Sequence, residues 1–378
     1  MGLFRHEFKK IAQSPALIGF AALCLLFNMF IVLIDGGSNE YANYVARVSR
    51  ETGFRLGADF DERANNLEPS EHAALLRLQT YGMTDVFDGY TTGYIAEVYI
   101  AQLGLSGMVA DLTSGKYARL QYAVDARFEA GDGMTLYLAG ATFWRHEMLF
   151  SVVMGALLFQ GMLLAALIML LSLGYEHSAK TEFVVYATKT GRRVNRSKFI
   201  AGVVAGLSAY AIIAAVTLVV YLTLNPMGGS WGSSVSSGFN FVRCMLGPRP
   251  FVTWHGFTVL TYLLAALGVS AGIVLCFALM AYIAGLWIRN SYIAFLILAL
   301  INFAVITLPG IVFGATMPAF ILALSPIWLS LQQGMWFTDG GSNILWAHFE
   351  TIGVVVSLLL LSVLCVWSSA RFRGRDLL

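Results

Sequence analysis

Six apolar runs, each long enough to cross a bilayer, alternate with polar stretches along this chain. They lie at 16–34, 148–174, 199–224, 257–287, 292–316 and 347–370. A helix needs about 20 apolar residues to span the hydrocarbon core. Trp144, Trp254, Trp287, Trp346 and Trp367 fall at or near the ends of these runs, where amphipathic rings favour the headgroup level. The predicted fold is an all-α polytopic membrane protein with six transmembrane helices. Ahead of the first run, residues 1–15 place Leu3, Phe4, Phe8 and Ile11 on one helical face and Arg5, Lys9, Lys10 and Gln13 on the other. That pattern predicts an interfacial amphipathic helix, with Pro15 separating it from the first span. The run that follows is too long for a signal-peptide core and no small-residue cleavage site follows it, so it reads as a retained span.

The polar stretches differ in kind. Residues 35–147 have helical spacing at Ser70–Tyr81 and at Thr92–Leu105, with Ser70 as a start signal and Gly82 as a stop. They predict a mostly helical extracellular domain. Its Tyr90, Tyr94, Tyr99, Tyr117 and Tyr122 either line a contact surface or pack the domain's own core and rim. Residues 225–256 are rich in Gly, Ser and Pro and read as an extracellular loop. Residues 317–346 are apolar but interrupted by Pro318, Pro326 and Gly334. They predict a re-entrant extracellular segment, because irregular backbone at membrane depth needs protein cover. Pro309-Gly310 is expected to kink the fifth span.

Charge fixes the expected orientation. The chain is 58% hydrophobic and 12% charged, about half the charged share of a soluble domain. Residues 1–15, the loop 175–198, Arg289 and the tail 371–378 together hold thirteen of the 24 Lys and Arg, among them Arg5, Lys9 and Lys10, but four of the 22 Asp and Glu. Short basic loops stay in the cytoplasm. Both termini and the loop 175–198 are therefore expected on the cytoplasmic side of a plasma membrane. Cys24, Cys276 and Cys365 lie in apolar runs and Cys244 in a loop, so no disulfide framework or C-x-x-C metal pair is available.

Candidate chemistry is sparse. No G-x-x-x-x-G-K-[ST] loop occurs; Gly115-Lys116 is followed by Tyr117. His146-Glu147 opens an H-E-x-x-H pattern that Phe150 breaks. Asp59, Asp61 and Glu62 lack the spacing of a calcium loop. No catalytic constellation, metal site or cofactor site is predicted, and no nucleic-acid partner. The interiors of the apolar runs hold no Asp, Glu, Lys or Arg, which disfavours an ion-coupled transporter. Weaker polar groups remain there, notably Asn28, Gln160, Tyr210 and Asn302. They either bond helix to helix or face a substrate path. Gly202 with Gly206, and Gly268 with Gly272, permit close helix contact.

The loop 175–198 reads YEHSAKTEFVVYATKTGRRVNRSK. With the order of one span, a large insert, a second span, this loop and four more spans, it resembles the permease subunits of ABC-2 type ABC transporters. Glu176, the stretch Ala179–Thr188, Gly191-Arg192 and Lys198 carry the likeness. The insert resembles that of a bacterial subgroup near peptide-antibiotic or uncharacterised export systems. The resemblance implies a coupling helix that docks on a separate cytosolic ATPase, where ATP and Mg would bind. It implies pairing with a second copy or paralogue. The docking residues it implies are Glu176, Lys180, Thr181, Glu182, Phe183, Val184, Val185, Tyr186, Lys189, Gly191 and Arg192. Thr181, Phe183 and Val184 to Ala187 form an apolar ridge that either docks or lies in the lipid interface. The expected function is the permease subunit of an ATP-driven exporter of an amphipathic peptide, lipid or drug. The alternative is a membrane receptor or assembly factor whose outer domain binds a ligand and whose basic loop engages a partner.

Overall fold

The computed structural model describes residues 2–34, 40–181, 194–244, 247–288 and 290–373. Six helices among them are long and apolar enough to cross a membrane: Pro15–Ile34, Thr142–His177, Val194–Leu224, Val259–Trp287, Ser291–Phe313 and Phe349–Phe372. They are spans 1 to 6 below. The chain is 76% helical, an all-α multi-pass membrane protein. The span most different from expectation is the second, which starts at Thr142 rather than 148. Trp144, Arg145, His146 and Glu147 interrupt the apolar run there but continue the helix, which passes through a π-helical turn at Met148–Val153.

Span 2 is the axis of the bundle. Its apolar window is 67% buried, against 22% for span 1 and 11% for span 5. Spans 3 and 4 pack along it. The approach of span 3 depends on Gly206, where a Cβ would sit 3.2 Å from the Ala165 Cα. In the second small-residue pair Gly268 faces open space, while Gly272 lies against span 6, where a Cβ would come 2.6 Å from Val354. The N-terminal helix, Gly2–Ala12, lays Phe4, Phe8 and Ile11 against Leu17, Ile168, Ala201 and Ala205. Its apolar face is thus covered by spans 1, 2 and 3. Pro15 opens span 1 as its first helical residue, a position where the missing N–H costs nothing.

At one end of the bundle sits a head domain of five helices: Glu40–Thr52, Ala58–Asn65, Glu71–Thr80, Gly93–Leu103 and Gly107–Glu129. Ser70 caps the third, its Oγ accepting from the Ala73 N–H at 3.1 Å. Tyr99 and Tyr117 are buried in the head core with ring centroids 5.9 Å apart, and Tyr90 packs at its edge. Tyr94 and Tyr122 are exposed. The Gly- and Ser-rich stretch 225–256, expected as a loop, is packed rather than open. Ser230, Ser233, Ser236, Ser237 and Asn240 are buried, and Ser233 Oγ donates to the Leu136 carbonyl at 2.6 Å. Gly228, at φ +57°, lies so close to the Ala46 carbonyl that a Cβ has no room. Small residues let this backbone slide beneath the head and form a short antiparallel pair, strand β1 (Phe241–Cys244) with strand β2 (Gly247–Pro250). In sequence the same residues read as turn formers.

The broken segment 317–346 holds two short helices, Met317–Leu322 and Pro326–Ser330, and the second packs among spans 2, 4, 5 and 6. Pro309 has no N–H to offer the Val305 carbonyl one turn back. Trp328 Nε1 donates to that carbonyl at 3.0 Å instead, at the point where span 5 passes into a π-helical turn, Pro309–Phe313. Beyond Trp336 the segment joins the head. Lys116 Nζ donates to the carbonyls of Asp339, Gly341 and Ile344 at 3.1, 2.9 and 2.7 Å. The Asp339 carboxylate accepts from Tyr117 Oη at 2.6 Å and from Arg249 at 3.2 Å. Burial lowers the Lys116 ammonium to about 8 despite the nearby Asp339 charge. Burial alone would raise the Asp339 carboxyl, but Arg249 and Lys116 outweigh it and hold it below the usual value. Burial disfavours the charged form of both partners, and the clustered cations decide the sign at the carboxylate.

Candidate functional site

The strongest concentration of buried charge lies at the end of the bundle away from the head, where spans 2 and 3 flank the loop 175–198. Span 2 stops in a C-terminal hook. The Thr181 N–H bonds the Glu176 carbonyl at 2.9 Å and the Lys180 N–H bonds the His177 carbonyl at 3.0 Å. Lys180 takes φ +56° to close it, in the place where glycine is favoured. The strain of a left-handed non-glycine residue, about 1–2 kcal/mol, is spent on turning the chain sharply at the base of the loop.

Glu176 Oε2 pairs with Lys198 Nζ, which also reaches toward the Leu173 carbonyl at 3.5 Å. Glu176 Oε1 lies 3.5 Å from Lys10 Nζ, and Lys10 pairs with Glu7 at 2.9 Å. Lys10 also stands 4.8 Å from the centre of the Tyr175 ring. Lys198 is 1% exposed, Glu7 2% and Glu176 5%. Two acids and two bases are thus matched in a poorly solvated site, where each charge needs its partners. The two residues that bracket the loop hold each other, and the N-terminal helix is tied to the same knot. A cavity of about 380 Å³ lies beside it, lined by Glu7, Lys10, Pro15, Ser172 and Tyr175 among others.

Of the residues expected to dock a partner, Glu176 is in this knot, and Lys180 and Thr181 lie exposed just beyond it. Glu182, Phe183, Val184, Val185, Tyr186, Lys189, Gly191 and Arg192 lie outside the described residues. The polar groups of the spans do not gather in one place. Asn28 Nδ2 donates to Gln160 Oε1 and Thr217 Oγ1, each at 2.9 Å, and Gln160 Nε2 returns a bond to Asn28 Oδ1 at 2.7 Å. This triad ties spans 1, 2 and 3 together. Tyr210 is buried against span 2, where a Cβ on Gly161 would come within 2.6 Å of its ring. Asn302 bonds its own helix at the Leu298 carbonyl, at 2.8 Å.

Glu7 and Thr217 carry no site role in the sequence reading, and Lys10 enters it only as a basic surface charge. Glu7 carried a signal, being the acid on an otherwise basic amphipathic helix. Among the described residues no group of His, Cys, Asp and Glu is placed to hold a metal ion. Comparison with protein-family models, with curated proteins and with solved structures found no match to this chain.

Proposed function

We propose that this chain is the membrane-spanning permease subunit of an ATP-driven transporter of the ABC-2 type. In this reading the head is extracellular and both termini are cytoplasmic, as the clustering of bases at 1–15, 175–198 and 371–378 favours. The N-terminal helix lies at the cytoplasmic membrane surface. A cytosolic ATPase, carrying ATP and Mg, docks on the loop 175–198, and a second permease copy or paralogue completes the transporter. The observation that supports this most is the buried Glu176–Lys198 pair. A lever that passes motion from a soluble partner to the spans needs both ends of its loop fixed to the helices they drive. Here one ion pair fixes both, and the Glu7–Lys10 pair fastens the N-terminal helix to them. The cargo is then an amphipathic molecule exported from the cell.

The receptor reading keeps one observation in its favour. The head is bonded to the segment between spans 5 and 6 through Lys116 and Asp339, a path by which a ligand on the head would move the spans. One experiment separates the two. The tagged chain is purified from its native host in mild detergent and its companions are identified by mass spectrometry. The transporter reading expects a stoichiometric soluble ATPase with a phosphate-binding loop, lost when Ala179–Thr188 is replaced by a Gly/Ser linker. A preparation without an ATPase, or one that keeps it after the replacement, overturns this reading.

A further inference from the structure

A groove of about 600 Å³ opens at the same end of the bundle as the ion knot, between spans 3, 4 and 6. That volume falls in the range of small-ligand pockets, about 300–1,000 Å³. Its floor is built. Leu279, Tyr282 and Cys365 are each more than nine-tenths buried, with the Cys365 thiol 3.7 Å from the Leu279 carbonyl. Phe199 packs on the Tyr282 ring at 4.6 Å, and the Tyr282 hydroxyl bonds Ser369 at 2.9 Å. Its outer edge is Val366, 71% exposed on the lipid-facing side of span 6. The groove therefore opens sideways into the bilayer.

Its charge is of one sign. Arg196 lines it, and Arg371 lies in the adjoining hollow that shares Leu286 and Phe372 with it. No carboxylate is among the residues lining either space. An apolar slot open to lipid and headed by a cation at the membrane surface fits one acyl chain with a negative headgroup. We propose that this groove binds an anionic phospholipid from the leaflet at that end, one chain lying between spans 3, 4 and 6 and its phosphate on Arg196. Arg196 and Phe199 share the first turns of span 3 with Lys198 of the ion knot, so bound lipid stiffens the helix that anchors the 175–198 loop. The binding does not depend on the transporter reading, because the site lies wholly within this chain.

The test uses the full chain alone in detergent, without an ATPase, so that the two ideas stand or fall separately. Native mass spectrometry reads how much phosphatidylglycerol and phosphatidylcholine, supplied in equal amounts, stays on the protein. The expected result is one retained phosphatidylglycerol in preference to phosphatidylcholine. Arg196→Gln, a surface change, should cut that preference about fivefold, the value of one cation near an anionic headgroup. Val366→Trp, also at an exposed position, should block the slot and remove the bound lipid. Equal retention of both lipids by the unaltered chain, or unchanged preference in Arg196→Gln, overturns the proposal. So does full retention of the bound lipid in Val366→Trp.

Discussion

Lys198 carries its ammonium into a site from which water is nearly excluded, and Glu176 is the reason it stays folded there. Removing one member of a buried pair leaves the other charge stranded, at a cost of about 3–5 kcal/mol, whereas removing both with apolar groups of similar size is often neutral. Glu176→Gln and Lys198→Met should each destabilise the protein by that amount, and the double variant should recover most of the loss. Lys10 keeps the recovery incomplete, because its second carboxylate is gone. Denaturation of the four proteins in the same detergent measures the coupling; losses that simply add would mean the pair is not one unit. Asp339 gives a pH prediction with a fixed sign. Its carboxyl is held below its ordinary 3.8, so its stabilisation is complete above that value and is lost as pH falls through the folded value. The stability gap between the native chain and Asp339→Asn should be constant near neutrality and close on acidification below 3.8. A gap that persists through that window would contradict the ionic role.

The elements were legible in the sequence to different degrees, for physical reasons. Long apolar runs announce membrane spans because the bilayer demands them, and all six appear. The start of span 2 was hidden because Arg145 and His146 look like a boundary, yet both are buried, Arg145 bonding Asn43 of the head at 3.2 Å and His146 packing on Tyr137 and Phe251. The stretch 225–256 was hidden because Ser and Gly serve equally as turn formers and as thin filler under a domain. The ion knot was half legible. Glu176 and Lys198 stood out at the loop's ends, while Glu7 and Lys10 join them only through the fold. Span 5 shows how one element repairs another. Trp328 Nε1 supplies the donor that Pro309 withholds from Val305. Trp328→Phe keeps the ring and deletes the donor, removing that bond from the Val305 carbonyl at a cost of about 1–3 kcal/mol. Pro309→Ala restores a main-chain donor and should reduce that cost when the two are combined. A Trp328→Phe loss unaffected by Pro309→Ala would show that the indole serves packing alone.

At the scale of the whole molecule, head and bundle share one core. Ala46, Tyr137 and Leu138 of the head belong to the same buried cluster as Leu157, Met169 and Tyr262 of the spans, with Phe251 and Trp336 between them. The Lys116 ammonium fastens this junction by donating to three carbonyls. A domain resting on the membrane surface would unfold on its own, before the spans. A domain whose core continues into the spans should unfold with them, in one transition. Lys116→Met separates these cases. It strands the three carbonyls and weakens the hold on Asp339, a loss of about 2–4 kcal/mol by the usual cost of unpaired buried polar groups. Head unfolding followed by proteolysis at the exposed loop ends, and span unfolding followed by thiol labelling of the buried Cys276, should shift together in this variant. Cleavage of the head under conditions where Cys276 stays protected would mean that the junction transmits nothing. Coincident loss would mean that a force applied to the head reaches spans 2 and 4, and through span 2 the Glu176–Lys198 knot at the far end.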